Sequence, residues 1–197
     1  ELLSVTSGKG LVRGRQRRGR AAAVSTRILL VRAVNVGGAT LPMAEFRALL
    51  SDLGGGSVRT YIASGNAVLD VPGDAAHFDR SVEAAITAKY GFVREVISRT
   101  PAEVSAALAA HPFEVVDPKF SYITFLTATP AADALDAAAN VPTGDDEWQL
   151  AGRELHLRFA GGMGRAVLNL DRLLRSLSVA GTARNLRTTR ALVELAD

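Results

Sequence analysis

Apolar positions along this chain alternate between short, nearly continuous runs and stripes at three-or-four spacing. Ile28 to Val34 is such a run, interrupted only by Arg32, and predicts a strand with neighbours on both sides. Gly37-Gly38 ends it. Met43, Phe46, Leu49, Leu50 and Leu53 then mark one face of a helix that opens after Pro42 and stops at Gly54-Gly55-Gly56. Val58–Ala63 and Ala67–Val71 read as strands around a Ser64-Gly65-Asn66 corner. Asp74 caps a helix carrying Phe78, Val82, Ile86 and Tyr90, with Gly91 at its stop, and Phe92–Ser98 closes the unit. The order is β-α-β-β-α-β, a ferredoxin-like half over residues 26–99.

Thr100-Pro101-Ala102-Glu103 has the capping-box pattern, so residues 100–118 read as a linking helix and a linker beyond His111-Pro112. The plan then repeats over residues 119–197. Phe120–Thr127 is a strand, an alanine-rich helix follows Thr129-Pro130, and Trp148–Ala151 pairs with Glu154–Phe159 across Gly152-Arg153. Val167, Leu170, Leu173, Leu174 and Leu177 form another helical stripe, Thr182–Arg184 a short strand, and Leu186–Leu195 a final helix. The fold class expected is α+β: two ferredoxin-like halves with antiparallel sheets.

Composition supports a packed body. Of 197 residues 48% are hydrophobic, enough for a sizeable core. The net charge of +3 hints at a polyanion partner until it is divided along the chain. Residues 1–25 hold six basic residues against Glu1, or +5, while the other 172 carry 17 basic and 19 acidic groups, or −2. The basic character therefore belongs to an arginine-rich tail without apolar periodicity, read as disordered. The absence of cysteine excludes disulfides and thiolate chemistry and fits a cytoplasmic setting. No apolar run approaches the roughly 20 residues that span a bilayer, so no membrane association is expected.

Candidate chemistry sits at turns. Arg32 and Asn35 precede Gly37-Gly38, whose amides could form an anion-binding nest, the alternative being a plain strand exit; Ser64 and Asn66 could present a hydroxyl and an amide, although a plain turn is the commoner reason for such a word. In Gly161-Gly162-Met163-Gly164-Arg165, Gly162, Gly164 and Arg165 offer backbone amides and a guanidinium at a helix start, without the Gly-Lys-Ser/Thr ending of a P-loop. Arg184 and Asn185 open the last helix. His77, His111 and His156 fall in different elements with no ligand spacing, so neither a metal nor a cofactor is expected; Asp145-Asp146-Glu147 reads as an acidic loop. Tyr61 and Tyr122 are candidates for stacking bases on a sheet, with no RNA-recognition word around them.

The words Arg32-Ala33-Val34-Asn35-Val36-Gly37-Gly38, Pro42 to Arg47, Val58 to Asn66, Pro112-Phe113, Gly161 to Arg165 and Thr182 to Asn185 resemble a bacterial family known as domain of unknown function 1697. The resemblance covers about residues 27–197 and implies a tandem ferredoxin-like fold without an established activity. Members commonly have glycine at Ala33, glutamine at Ala63, Ser-Lys at Ala166-Val167 and tryptophan at Leu186. Any role of that Ser-Lys pair is missing here, which weakens an enzyme assignment. Three functions stand open: binding of a small anionic ligand, with or without catalysis; nucleic-acid binding through the sheets and tail; and a protein-interaction module. Neither ligand identity nor oligomeric state follows from the sequence.

Overall fold

The structure is a computed structural model and describes residues 23–197. The tail read over residues 1–25 thus lies almost wholly outside the described residues. Its last two positions already belong to the first strand. The first half runs β1 (Val24–Val31), α1 (Met43–Asp52), β2 (Gly56–Thr60), β3 (Asn66–Pro72), α2 (Ala75–Tyr90) and β4 (Val96–Arg99). After α3 (Pro101–Ala109), the second half runs β5 (Ser121–Leu126), α4 (Ala132–Ala139), β6 (Glu147–Ala151), β7 (Glu154–Arg158), α5 (Leu170–Ser176) and β8 (Gly181–Asn185), and α6 (Leu186–Ala196) follows. The sheets have strand orders β2-β3-β1-β4 and β6-β7-β5-β8, every pairing antiparallel. Both halves are ferredoxin-like.

The period of two along each strand sends alternate residues into different cores. Leu29 and Val31 of β1 pack with Phe46 and Leu50 of α1 and Val82 and Ile86 of α2. Ile28 and Leu30 point the other way. They meet Val68, Ile123 and Phe125 from the two sheets, Val104 of α3 and Leu192 of α6. A third core lies beneath α5, where Leu155, Leu157, Leu173 and Leu177 pack together. The middle core is shared, so both sheets bury the face that a single ferredoxin-like unit leaves open. Tyr61 packs against this shared core and Tyr122 against the outer one, edge-on to Phe159 at 5.4 Å.

Local rules set the element ends. Asp74 accepts from the His77 amide at the start of α2, Gly91 ends that helix in the left-handed region, and Thr100 and Glu103 complete the expected capping box on α3. Several boundaries differ from the periodicity, among them β2, which spans Gly56–Thr60 rather than Val58–Ala63. β1 stops at Val31 rather than Val34, because Ala33 and Asn35 both take positive φ, yet Val34 is still buried as a loop residue. An apolar run does not distinguish a strand from a buried loop. β4 begins at Val96 rather than Phe92. Val167 is 58% exposed and lies outside α5, because the chain is held there by a side chain from another loop.

Candidate functional site

Residues singled out at the turns do assemble, but as supports. Asn35, at φ +57, donates from Nδ2 to the carbonyls of Leu41 and Ala63 and accepts from the Leu41 amide, pinning the Gly37-Gly38 loop to the β2–β3 corner. Both glycines have positive φ and face open space. In that corner Asn66 donates from Nδ2 to the Tyr61 carbonyl and Ser64 Oγ. Gly65 has φ +72 and a Cβ there would stand 2.5 Å from Val34, so glycine is required for contact as well as for conformation.

Arg184 reaches this corner from β8 in the other half. It is buried, and each of its five N–H groups has an acceptor: Asn66 Oδ1 at 2.6 Å, Thr182 Oγ1 at 2.6 Å, and the carbonyls of Ala183, Val31 and Ser64 at 2.8, 3.0 and 2.8 Å. No carboxylate is among them. Burial lowers the guanidinium pKa to about 10, which still leaves it charged at neutral pH. Arg184 has no donor left for a ligand; it joins the halves. Asn185 is likewise used, accepting from the Thr188 amide as the cap of α6.

Gly162, Gly164 and Arg165 lie apart from this network. Their loop wraps around Asp146, whose buried carboxylate accepts from the amides of Ala160, Val167 and Leu168 at 2.8–3.0 Å. Asp146 thus takes amides on either side of the Gly161–Arg165 word, while the Gly162 and Arg165 amides donate to the carbonyls of Phe159 and Gly162. The neighbouring Glu147 pairs with Arg158. Arg32 is bound to Glu95 at 3.0 Å and faces Arg175 and Asp171 across a cleft of about 580 Å³.

A further grouping of charged side chains lies elsewhere, along the outer edge of β4. Strand edges present unpaired backbone groups, and here side chains take them. Glu83 and Asp79 of α2 accept from the amides of Val96 and Ser98 at 2.8 and 3.1 Å, while Arg27 and Arg99 both donate to the Ser98 carbonyl. The result is a groove of about 290 Å³ whose walls carry Arg27, Arg80, Arg99 and Arg153 against Asp79 and Glu83. Arg153 and Thr127 come from the second half, so the groove is completed by the packing of the two halves. Arg99 is buried and bonded to Glu154 and the Leu126 carbonyl. Arg80 is exposed with no ion pair among the described residues, and Arg153 has only Glu103 at 3.7 Å. Burial pushes the Asp79 carboxyl pKa up against two hydrogen bonds from Ser98, and Asp79 Oδ1 has no partner.

Beside the groove, His111 and His156 meet with Nδ1 atoms 3.4 Å apart. Their sequence separation hid the pair. Among the described residues no group of three or more histidine, cysteine or acidic side chains could hold a metal ion. Burial, then the His156 ring, which would repel a second proton, and the Arg190 charge lower the His111 pKa to about 4, and burial lowers that of His156. Both rings are therefore neutral when folded and take up protons more readily when unfolded, so stability is complete above about pH 6.5 and declines as pH falls toward 4. Urea unfolding should show a lower midpoint at pH 5 than at pH 7.5, and His111→Gln should flatten the difference; an unchanged pH dependence in that variant would contradict the assignment.

A family model described as "Protein of unknown function (DUF1697)" matches residues 24–156. It ends before the Gly161–Arg165 and Thr182–Asn185 words. No curated protein matches the sequence. Among solved structures, the conserved bacterial protein SP0830 from Streptococcus pneumoniae is similar with a TM-score of 0.66 at 20% identity, over 89% of this chain and 100% of that one. At that identity the likeness concerns the fold. Among the described residues no helix is long and apolar enough to cross a membrane.

Proposed function

The chain belongs to the DUF1697 family, and within that premise we propose that it binds a small anionic ligand in the groove along β4. The observation that carries this reading is the convergence of four guanidinium groups from two halves on one recess. Two of them, Arg27 and Arg99, are held in place by backbone and side-chain acceptors, while Arg80 is exposed without an ion pair among the described residues and Arg153 is exposed with only the 3.7 Å pair to Glu103. Held and exposed guanidinia together suit a phosphate or carboxylate group, since each charge-assisted hydrogen bond contributes about 1.5–3 kcal/mol. Arg32 does not take part in this groove.

A nucleic-acid reading that uses the sheets finds no support in the shared core, and its other part, the arginine-rich tail, lies almost wholly outside the described residues. Bases stack on an open sheet face, and both such faces are buried in the shared core here.

A thermal-shift series with inorganic phosphate, ribose 5-phosphate and malate tests the proposal. Stabilisation is expected from at least one of them, and Arg80→Ala and Arg153→Ala should each weaken binding about tenfold, the equivalent of roughly 1.4 kcal/mol. The absence of any shift, or full retention of binding in the double variant, would overturn it.

A further inference from the structure

A second cavity, of about 490 Å³, adjoins the groove, and Arg153 lines both. The partition between them is made of charged pairs. Glu103 stands 4.0 Å from Arg27 and 3.7 Å from Arg153, and Glu154 of the second cavity is bonded to Arg99 of the first. The character of the second cavity is different. Ala106 and Ala107 of α3 with Ala110 just beyond its end form one wall and Ala151-Gly152 of the β6–β7 hairpin another. Small side chains leave flat, shallow surfaces against which a planar ring can lie, and burial of apolar area at such a wall is favourable.

A polar side chain also borders the cavity. His156 lines it while being only 1% exposed, and its Nε2 has no hydrogen-bond partner. A buried polar atom left unpaired is costly, and nearly all such atoms in folded proteins find partners. Because the imidazole is neutral, it can donate from one nitrogen or accept at it, according to the tautomer set by the contact with His111. Thr129 adds an exposed hydroxyl on the lining.

Resting on the anion reading above, we infer that the two cavities form one site for a nucleotide, the phosphate in the arginine groove and the base in the alanine-walled cavity over His156. Groove and cavity meet at Arg153, as the ribose of such a ligand would require. This names the ligand by its chemistry: an acid joined through a short polar unit to a flat heteroaromatic ring.

Isothermal titration of the full chain with the four ribonucleoside 5′-monophosphates and with ribose 5-phosphate separates the two readings. At least one nucleotide should bind tenfold or more tightly than ribose 5-phosphate. Ala106→Phe, at an exposed helix position facing the cavity, should bring that nucleotide down to the affinity of ribose 5-phosphate without changing the latter; Ala110→Phe provides the same test should the first variant fold poorly. If all four nucleotides bind no better than ribose 5-phosphate, or if both phenylalanine variants keep the preference, the nucleotide assignment is wrong and the anion site stands. If neither class of compound binds, the anion site falls and this inference with it.

Discussion

Replacing Arg184 by methionine is expected to lower the unfolding free energy by about 3–5 kcal/mol, the range for removing one partner from a buried charged network. Methionine retains much of the aliphatic volume, so the loss reports on the polar head. That head supplies all five of its N–H groups to acceptors in two halves. Without it, Asn66 Oδ1 and the Ser64 carbonyl lose their donors inside the seam, at roughly 1–3 kcal/mol for each group left unsatisfied. The guanidinium itself is costly to bury, which offsets part of the gain and keeps the expected loss well below the sum of five bonds. Arg184→Lys should recover only part of the stability, since an ammonium has three donors on a different geometry. Urea unfolding measures both. A loss below about 1 kcal/mol for the methionine variant would show that the seam is held by its apolar core alone.

Asp146→Ala should cost about 2–4 kcal/mol, on the scale of hydrogen bonds to a charged acceptor. The carboxylate is 6% exposed and holds three amides across a loop of nine residues, Ala160 to Leu168. Removing it strands those N–H groups, of which the one on Leu168 is buried. Asp146→Asn keeps one acceptor oxygen but turns an NH₂ group toward amides that also donate, so it should recover little. Hydrogen exchange should accelerate over residues 160–168 in both variants, with α1 and α2 unaffected. Wild-type exchange in Asp146→Asn would mean that shape rather than charge orders the loop.

These two residues also mark where the sequence was legible and where it was not. Helix faces and caps follow from spacing alone: Phe46, Leu49 and Leu50 on α1, Phe78, Val82 and Ile86 on α2, and the Thr100–Glu103 box are all as the periodicity indicates. The repeat of the β-α-β-β-α-β order gives the two sheets. Strand ends were less legible, because Val34 is as buried in a loop as it would be in a strand. Site residues were the least legible. Arg32, Asn35, Ser64, Asn66 and Arg184 stand at turns, where binding groups and supports have the same composition, and only the pairing of β8 with β5 shows that Arg184 points into the seam.

The arginine groove left hardly any trace in the sequence. Arg27, Arg80, Arg99 and Arg153 lie on four different elements, up to 126 positions apart. Arg27 and Arg99 come together because β1 pairs with β4, and Arg153 joins them because the two sheets share a core. One signal was available: Arg99 ends a short strand that begins Val96-Ile97, a position where a charge is buried only with partners. The pairing of His111 with His156 was hidden in the same way, across 45 positions.

A ¹⁵N-resolved titration of the protein with ribose 5-phosphate distinguishes the arginine groove from the glycine-rich turns as the place where an anion binds. Amide shifts should concentrate at residues 76–83, 96–99, 126–127 and 152–154. Shifts centred instead on residues 33–38 or 161–165, or none at millimolar ligand, would contradict the groove assignment.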